Sequence, residues 1–170
     1  MTQDTRSKAS YDVVIAGGGF SGAYCAKHLA GLLGSLAAKR IALVAEDNVL
    51  AFQPMLAEVV GAAFSPLDVV TPLREFCRGA NVLQGKIIQI DLDRKVIEIE
   101  AGLFTPNTLL QFQHLVLAIG GVVDVSRVPG MAEHGYILEN PWNAVRLQMA
   151  LSSLVGRTRL PNQSTVQCEF

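Results

Sequence analysis

The sequence predicts an α/β fold, a parallel sheet covered by helix with a small antiparallel insertion. Three observations carry that expectation. Short apolar runs at Val13–Ala16, in "RIALVAED" (Arg40–Asp47) and in "HLVLAIGG" (His114–Gly121) read as strands buried on both faces, as parallel strands are. A glycine turn joins the first of these runs to an amphipathic stretch with helical spacing. Between the second and third, "VLQGKIIQIDLDRKVIEIE" (Val82–Glu100) alternates apolar and charged residues near its end, the pattern of a half-exposed antiparallel hairpin. The chain has 170 residues, 50% of them hydrophobic, which suffices for one good core.

Taken in order, residues 1–10 ("MTQDTRSKAS") are polar, carry no apolar signal region and read as a disordered tail. Val13–Ala16 is the first strand. Beyond the glycines, Gly22, Ala26, Leu29 and Leu33 share one helix face while Lys27 and His28 fall on another, so His28 reads as solvated. Gly34 and Ser35 end that helix, and Arg40–Asp47 forms the second strand with two acids at its carboxyl end. A long connection with three prolines follows from Asn48, and a helix capped by Ser65 is predicted over Leu67–Phe76. Val82–Glu100 is predicted as a hairpin turning at Asp91–Arg94, with Ile97 and Ile99 inward. His114–Gly121 returns to a buried strand, and Asn140–Val155 reads as a last helix with Trp142, Val145, Met149 and Leu154 inward. Residues 156–170 show no apolar period and read as an irregular tail, leaving 11–155 as the folded domain.

The turn "AGGGFSG" fits the GxGxxG pattern, and its position after a buried strand and before a helix is what dinucleotide binding needs. Gly17 can take the positive φ of a tight turn, Gly19 has no side chain to obstruct a pyrophosphate, and Gly22 lets the helix lie close on the strand. Backbone N–H groups at the helix start, aided by the helix dipole, would face the phosphates. Glu46 lies just past the second strand, where such units place an acid that accepts from a ribose diol, and Asp47 is its neighbour and rival. No arginine stands in this stretch to meet a 2′-phosphate, so the ribose is read as unphosphorylated, as in FAD or NAD.

A formal charge of -1 with 17% charged residues provides no basic face for nucleic acid. Cys25, Cys77 and Cys168 form no CxxC, and the three histidines are scattered, so no metal site or disulfide framework is predicted. Cys25 and Cys77 read as small core-lining residues in a reducing compartment. The longest apolar stretch, Leu29–Ala38, falls short of the ~20 residues that span a bilayer.

Several stretches, "VVIAGGGFSG", "FQPMLAEVV", "FSPLDVVTPLR", "LQGKIIQIDL", "HLVLAIGG" and "VPGMAEHGYILENPWNAVRL", occur in the order seen in the amino-terminal part of type II NADH dehydrogenases. These are FAD-dependent members of the pyridine nucleotide-disulphide oxidoreductase superfamily, and the resemblance runs from Tyr11 to Val155. It implies a Rossmann-like FAD/NAD(P)-binding fold in which Gly17, Gly19, Phe20 and Gly22 face the FAD pyrophosphate and Glu46, or Asp47, the adenosine ribose. By the same resemblance Gln53 and Pro54 approach the flavin, the backbone around Lys86 and Ile87 meets the adenine, and Ala118 to Gly120 close over the dinucleotide. Many relatives carry the ribose acid at the position of Ala45, and Thr where Ile119 stands here. The family's cofactor is FAD, NADH its co-substrate and quinone its acceptor; no residue here is assigned as acid or base. Complete members continue with an NADH-binding domain and carboxyl-terminal helices that meet the membrane. The expectation is therefore a truncated, amino-terminal part of such an enzyme, cytoplasmic, peripheral at the membrane only through helices it lacks, and not competent alone. A stand-alone dinucleotide-binding module or a degenerate fragment without turnover is the alternative, and a homodimer is left open.

Overall fold

The computed structural model describes residues 7–100 and 107–158. Two compact units result: one comprises the chain through Leu50 together with Thr71–Gly121, the other Ala51–Val70 together with the chain from Val122.

The chain begins with β1 (Ser7–Ala16), α1 (Phe20–Leu33), a 3-10 turn at Gly34–Leu36, α2 (Ala37–Arg40) and β2 (Ile41–Ala45), then leaves the first unit through β3 (Val49–Ala51). In the second unit a 3-10 turn at Gln53–Met55 runs into α3 (Leu56–Val60). β4 (Val70–Pro72) leads back to α4 (Leu73–Phe76), β5 (Asn81–Gln84), β6 (Lys86–Asp91), β7 (Val96–Glu100) and β8 (Thr108–Leu117). The second unit resumes with a 3-10 turn at Val125–Arg127, α5 (Met131–His134) and α6 (Pro141–Thr158).

The six strands of the main sheet lie in the order β5-β2-β1-β8-β7-β6. β5, β2, β1 and β8 are parallel, with Val13 opposite Ile41 and Ala16 opposite both Val44 and Leu117. β7 is antiparallel to β8 and to β6. Gly85 alone separates β5 from β6, although these are the two ends of the strand order. Five interstrand gaps of a flat sheet would span roughly 24 Å, while two Cα steps reach only ~7.6 Å. The sheet must therefore curl until β6 returns toward the β5 end.

That curl creates two cores from one strand set, because successive side chains point to opposite faces. Ile15, Ile41, Leu43 and Ala45 pack on the helical side against Ala23, Ala26 and Ala30 of α1, with Leu73 and Cys77. Val14, Ala42 and Val44 face the concave side, against Ile97 and Ile99 of β7 and Leu110 and Phe112 of β8. Burial on both sides is why β1 and β2 read as unbroken apolar runs; the run His114–Gly121 does not share it, since β8 ends at the exposed Leu117, His114 is exposed and Ile119 lies beyond the strand, exposed. Cys77 is buried and its thiol donates to the Ala23 carbonyl at 3.4 Å, and burial pushes its pKa up against the smaller opposing effect of Lys27. Cys25 is half-buried beside the same cluster, whereas Cys168 lies outside the described residues.

Several boundaries differ from the sequence expectation. β1 starts at Ser7, because β8 offers it a partner down to Thr108; part of the presumed tail is therefore strand, and residues 1–6 lie outside the described residues. After α1, Ala37–Arg40 makes another helical turn, so β2 starts at Ile41. The helix expected over Leu67–Phe76 is confined to Leu73–Phe76: the β-branched Val70 and Thr71 are extended into Pro72, and Ser65 instead closes a turn with Leu67 and Asp68. Val82–Gln84 belongs to parallel β5 rather than to the hairpin, which begins at Lys86.

In the second unit α6 starts behind Asn140, whose side chain accepts from the Asn143 N–H at 2.9 Å. Its buried contact is made by Ala144, with Val145 beside it, against Leu56, Val59 and Val69. Trp142 and Met149 are 68% and 66% exposed and Leu154 is also exposed, which corrects the inward stripe expected for them. Small Ala144 admits the facing α3 turn, so the contact stripe sits about one residue around the helix from the one read off the larger side chains. α6 continues to Thr158, three residues into the stretch expected to be irregular; 159–170 lie outside the described residues.

Leu43 is fully buried between β2 and the α1 face. Leu43→Ala is expected to destabilise the protein by about 2–5 kcal/mol, read as a lower midpoint of urea unfolding.

Candidate functional site

Four parallel strands end together, and backbone bonds carry the ladder one step past them. Gly17 N–H donates to the Val44 carbonyl, Ala118 N–H to Ala16, and Gly85 N–H to Ala45, each at 2.8 Å. The carboxyl edge of a parallel sheet is where ligands of such folds bind.

The glycines of the turn have separate tasks at this edge. Gly17 takes φ 112°, and a Cβ there would overlap the Ala118 carbonyl. A Cβ on Gly22 would overlap the Gly17 carbonyl and lie 3.3 Å from the Ala118 Cβ, so Gly17 meets both Ala118 and Gly22 backbone to backbone. Gly18, which the motif treats as a free position, would bring a Cβ within 2.5 Å of Ala45 Cβ and 2.8 Å of Leu73 Cδ1. Its signal was in the sequence as an unbroken run of three glycines.

Gly19 differs from the others. Its φ of -68° and ψ of -175° suit any residue, and nothing lies within 4 Å of where its Cβ would be. It caps α1 without a side chain, and the first helical bond runs from Ala23 N–H to its carbonyl at 2.9 Å. The first-turn N–H groups have no acceptor further back in the helix, which makes this end attractive to an anion. An open, Cβ-free space before a 14-residue helix fits a pyrophosphate. Phe20, the first residue of α1, stacks on Tyr24 with ring centroids 6.3 Å apart.

Glu46 and Asp47 follow β2 with both side chains exposed. The Glu46 carbonyl accepts from Gln84 Nε2 at 3.1 Å, which fixes the backbone of the first acid to the end of β5. Lys86, exposed, and Ile87, half-buried, start β6 one residue beyond Gly85, so this pair is tied to the same edge. Gly120 has φ 72° just after the Ala118 contact. Gln53 and Pro54 fall in the second unit, in the 3-10 turn before α3, with the Gln53 amide donating to the Glu139 carbonyl at 3.0 Å. The structure thus gathers Gly17, Gly19, Phe20, Gly22, Glu46, Asp47, Lys86, Ile87, Ala118 and Gly120 on one unit. Sequence reasoning missed Leu73 and Gln84 as supports, because their contacts cross long chain separations.

Among the described residues no helix is long and apolar enough to cross a membrane, and no cluster of three or more His, Cys, Asp or Glu could hold a metal ion.

Residues 11–156 match the family described as pyridine nucleotide-disulphide oxidoreductase. A demethylphylloquinone reductase of Synechocystis sp. is 30% identical over 146 residues, which cover 84% of this chain and 36% of that protein. A type II NADH:quinone oxidoreductase of Haemophilus influenzae is 28% identical over 153 residues, covering 84% of this chain and 34% of its own length. The structure of NDH2 from Plasmodium falciparum in complex with NADH superposes with a TM-score of 0.72 at 20% identity, over 94% of this chain and 31% of that one. A sulfide:quinone oxidoreductase from Aquifex aeolicus gives 0.70 at 22% identity, over 86% and 32%. These structures establish a shared fold, a Rossmann-like α/β sheet with an antiparallel addition. The chain spans about a third of the length of these two relatives.

The contrast between two glycines is directly testable. Gly22→Ala should cost about 1–3 kcal/mol by overpacking against the Gly17 carbonyl, whereas Gly19→Ala should leave the thermal midpoint unchanged.

Proposed function

Because the chain belongs to the pyridine nucleotide-disulphide oxidoreductase family, we propose that the edge around Gly17–Gly22 holds the adenosine and pyrophosphate end of FAD, as part of an NADH-oxidising, quinone-reducing flavoprotein. The observation that carries this reading is the open space at Gly19 before α1, set in a turn whose other glycines are packed solid. FAD, when bound, supplies the two-electron chemistry between nicotinamide and quinone. The chain's own residues bind and orient it. The first-turn N–H groups of α1 take the pyrophosphate oxygens, and the helix dipole adds to the attraction. Glu46 accepts from the ribose diol, favoured over Asp47 because Gln84 pins its backbone. The backbone at Lys86 and Ile87 borders the adenine, and Ala118 to Gly120 close over the dinucleotide. Gln53 and Pro54 are assigned to the flavin side through the FQP stretch shared with type II NADH dehydrogenases.

FAD titration followed by flavin fluorescence, with ADP as competitor, tests the assignment. Gly19→Val should abolish FAD binding while far-UV circular dichroism and the thermal midpoint stay as in the wild type; flavin retained at full stoichiometry would contradict the site.

Glu46→Ala should weaken FAD binding about tenfold or more through loss of a charge-assisted hydrogen bond, and Asp47→Ala should matter little. A larger loss at Asp47 would transfer the ribose role to it.

A further inference from the structure

The site as described has one electrostatic deficit. A pyrophosphate brings negative charge to an edge where Glu46 and Asp47 already stand, and the first turn of α1 contains no charged side chain of its own. Within the glycine turn itself only backbone dipoles would offset that repulsion. The chain carries a cation next to this edge that neither the glycine motif nor the acidic corner includes.

α4 is a single turn fixed against both walls of the site. Its first residue, Leu73, is fully buried, donates its N–H to the Asn48 carbonyl at 2.8 Å and reaches within 2.8 Å of where a Gly18 Cβ would be. Asn48 directly follows the two acids, and Gly18 is the middle of the glycine turn. Further along, the Phe76 ring stands edge-on to Tyr24 of α1 at 5.1 Å, under Lys27 Nζ at 4.5 Å, and Cys77 donates to the Ala23 carbonyl. These contacts leave α4 little freedom to shift along α1. Arg74 follows Leu73 and is exposed, and among the described residues it makes no hydrogen bond or ion pair. The acid beside it, Glu75, is bridged to Arg78 at 3.4 Å, and Lys27 is held over the Phe76 ring. Arg74 is an uncommitted cation of this corner, distinct from Lys86, which is assigned to the adenine through its backbone. The sequence expectation concerned an arginine for a 2′-phosphate beside the acids; Arg74, far along the chain, follows the residue whose N–H is bonded to the Asn48 carbonyl.

We propose that Arg74 is a binding residue for the diphosphate of the dinucleotide, supplying the charge that the glycine turn lacks. A guanidinium suits this task, since its fork of donors matches phosphate oxygens and keeps its charge at all working pH values. The proposal rests on the dinucleotide reading of the turn, and its test separates the two.

Binding of ADP and of adenosine to the full chain is compared by saturation-transfer NMR and competition with FAD, for the wild type, Arg74→Gln and Arg74→Lys. Arg74→Gln should weaken ADP and FAD about tenfold, leave adenosine unchanged and flatten the loss of FAD affinity with rising salt. Arg74→Lys should recover part of the affinity. The thermal midpoint should not move, since the side chain is exposed and unpaired. Unchanged ADP binding in Arg74→Gln, or an equal loss for adenosine, overturns the role of Arg74 and leaves the dinucleotide site standing. A wild type that binds neither ADP nor FAD overturns the site itself and the proposal with it.

Discussion

The structure depends on a place where Gly17 touches the Ala118 backbone on one side and Gly22 on the other, with no room for a Cβ on either glycine. Gly17, Gly22 and Ala118 bring the ends of β1 and β8 and the start of α1 closer than any Cβ would allow. That contact sets the angle at which α1 leaves the sheet, and so the packing of Ala23, Ala26 and Ala30 on Ile15 and Leu43. It also sets where the helix begins, and with it where the first-turn N–H groups point. Fold and candidate site are thus consequences of one steric condition, with Gly19 left over as the position whose missing side chain the fold itself does not require.

The parts legible in the sequence were those whose physics is local. Residues 13–16 and 41–45 showed as apolar runs because both faces of their sheet are covered, and the turn showed because positive φ and close approach leave glycine as the choice. The Asp91 to Arg94 turn and the inward Ile97 and Ile99 were visible through alternation. What failed was local pattern overridden by neighbours. Leu67–Phe76 has an apolar spacing compatible with a helix, yet β4 pairing and Pro72 hold its middle extended. In α6 the bulky Trp142 and Met149 drew the expected stripe, whereas the partner packs on Ala144.

The candidate site divides along the same line. Gly17, Gly19 and Gly22 were readable because one loop contains them, and Gly18 was readable in the run but not weighed. The spatial relation of Gln84 and Leu73 to the acidic corner had no local signature, since it is made by hydrogen bonds across tens of residues; Arg74 stood in the stretch "FSPLDVVTPLR", but its place beside Leu73 gave it no role there. A motif shows where a ligand's dipolar contacts come from; the charges around it are supplied by whichever elements the fold delivers.

The single residue between β5 and β6 has a further consequence, for solubility. A sheet with ends exposes two rows of unpaired peptide groups that can recruit strands from other molecules. Here both terminal strands are tied together at Gly85, the β5 edge is short at four residues, and its neighbour across the curl is β6, which carries Lys86 and Asp91 at its ends. The curl that closes the concave core also denies a second copy a long, flat edge on which to add. The joint at Gly85 acts as protection against edge-to-edge aggregation, and lengthening it would loosen the curl and open both edges at once.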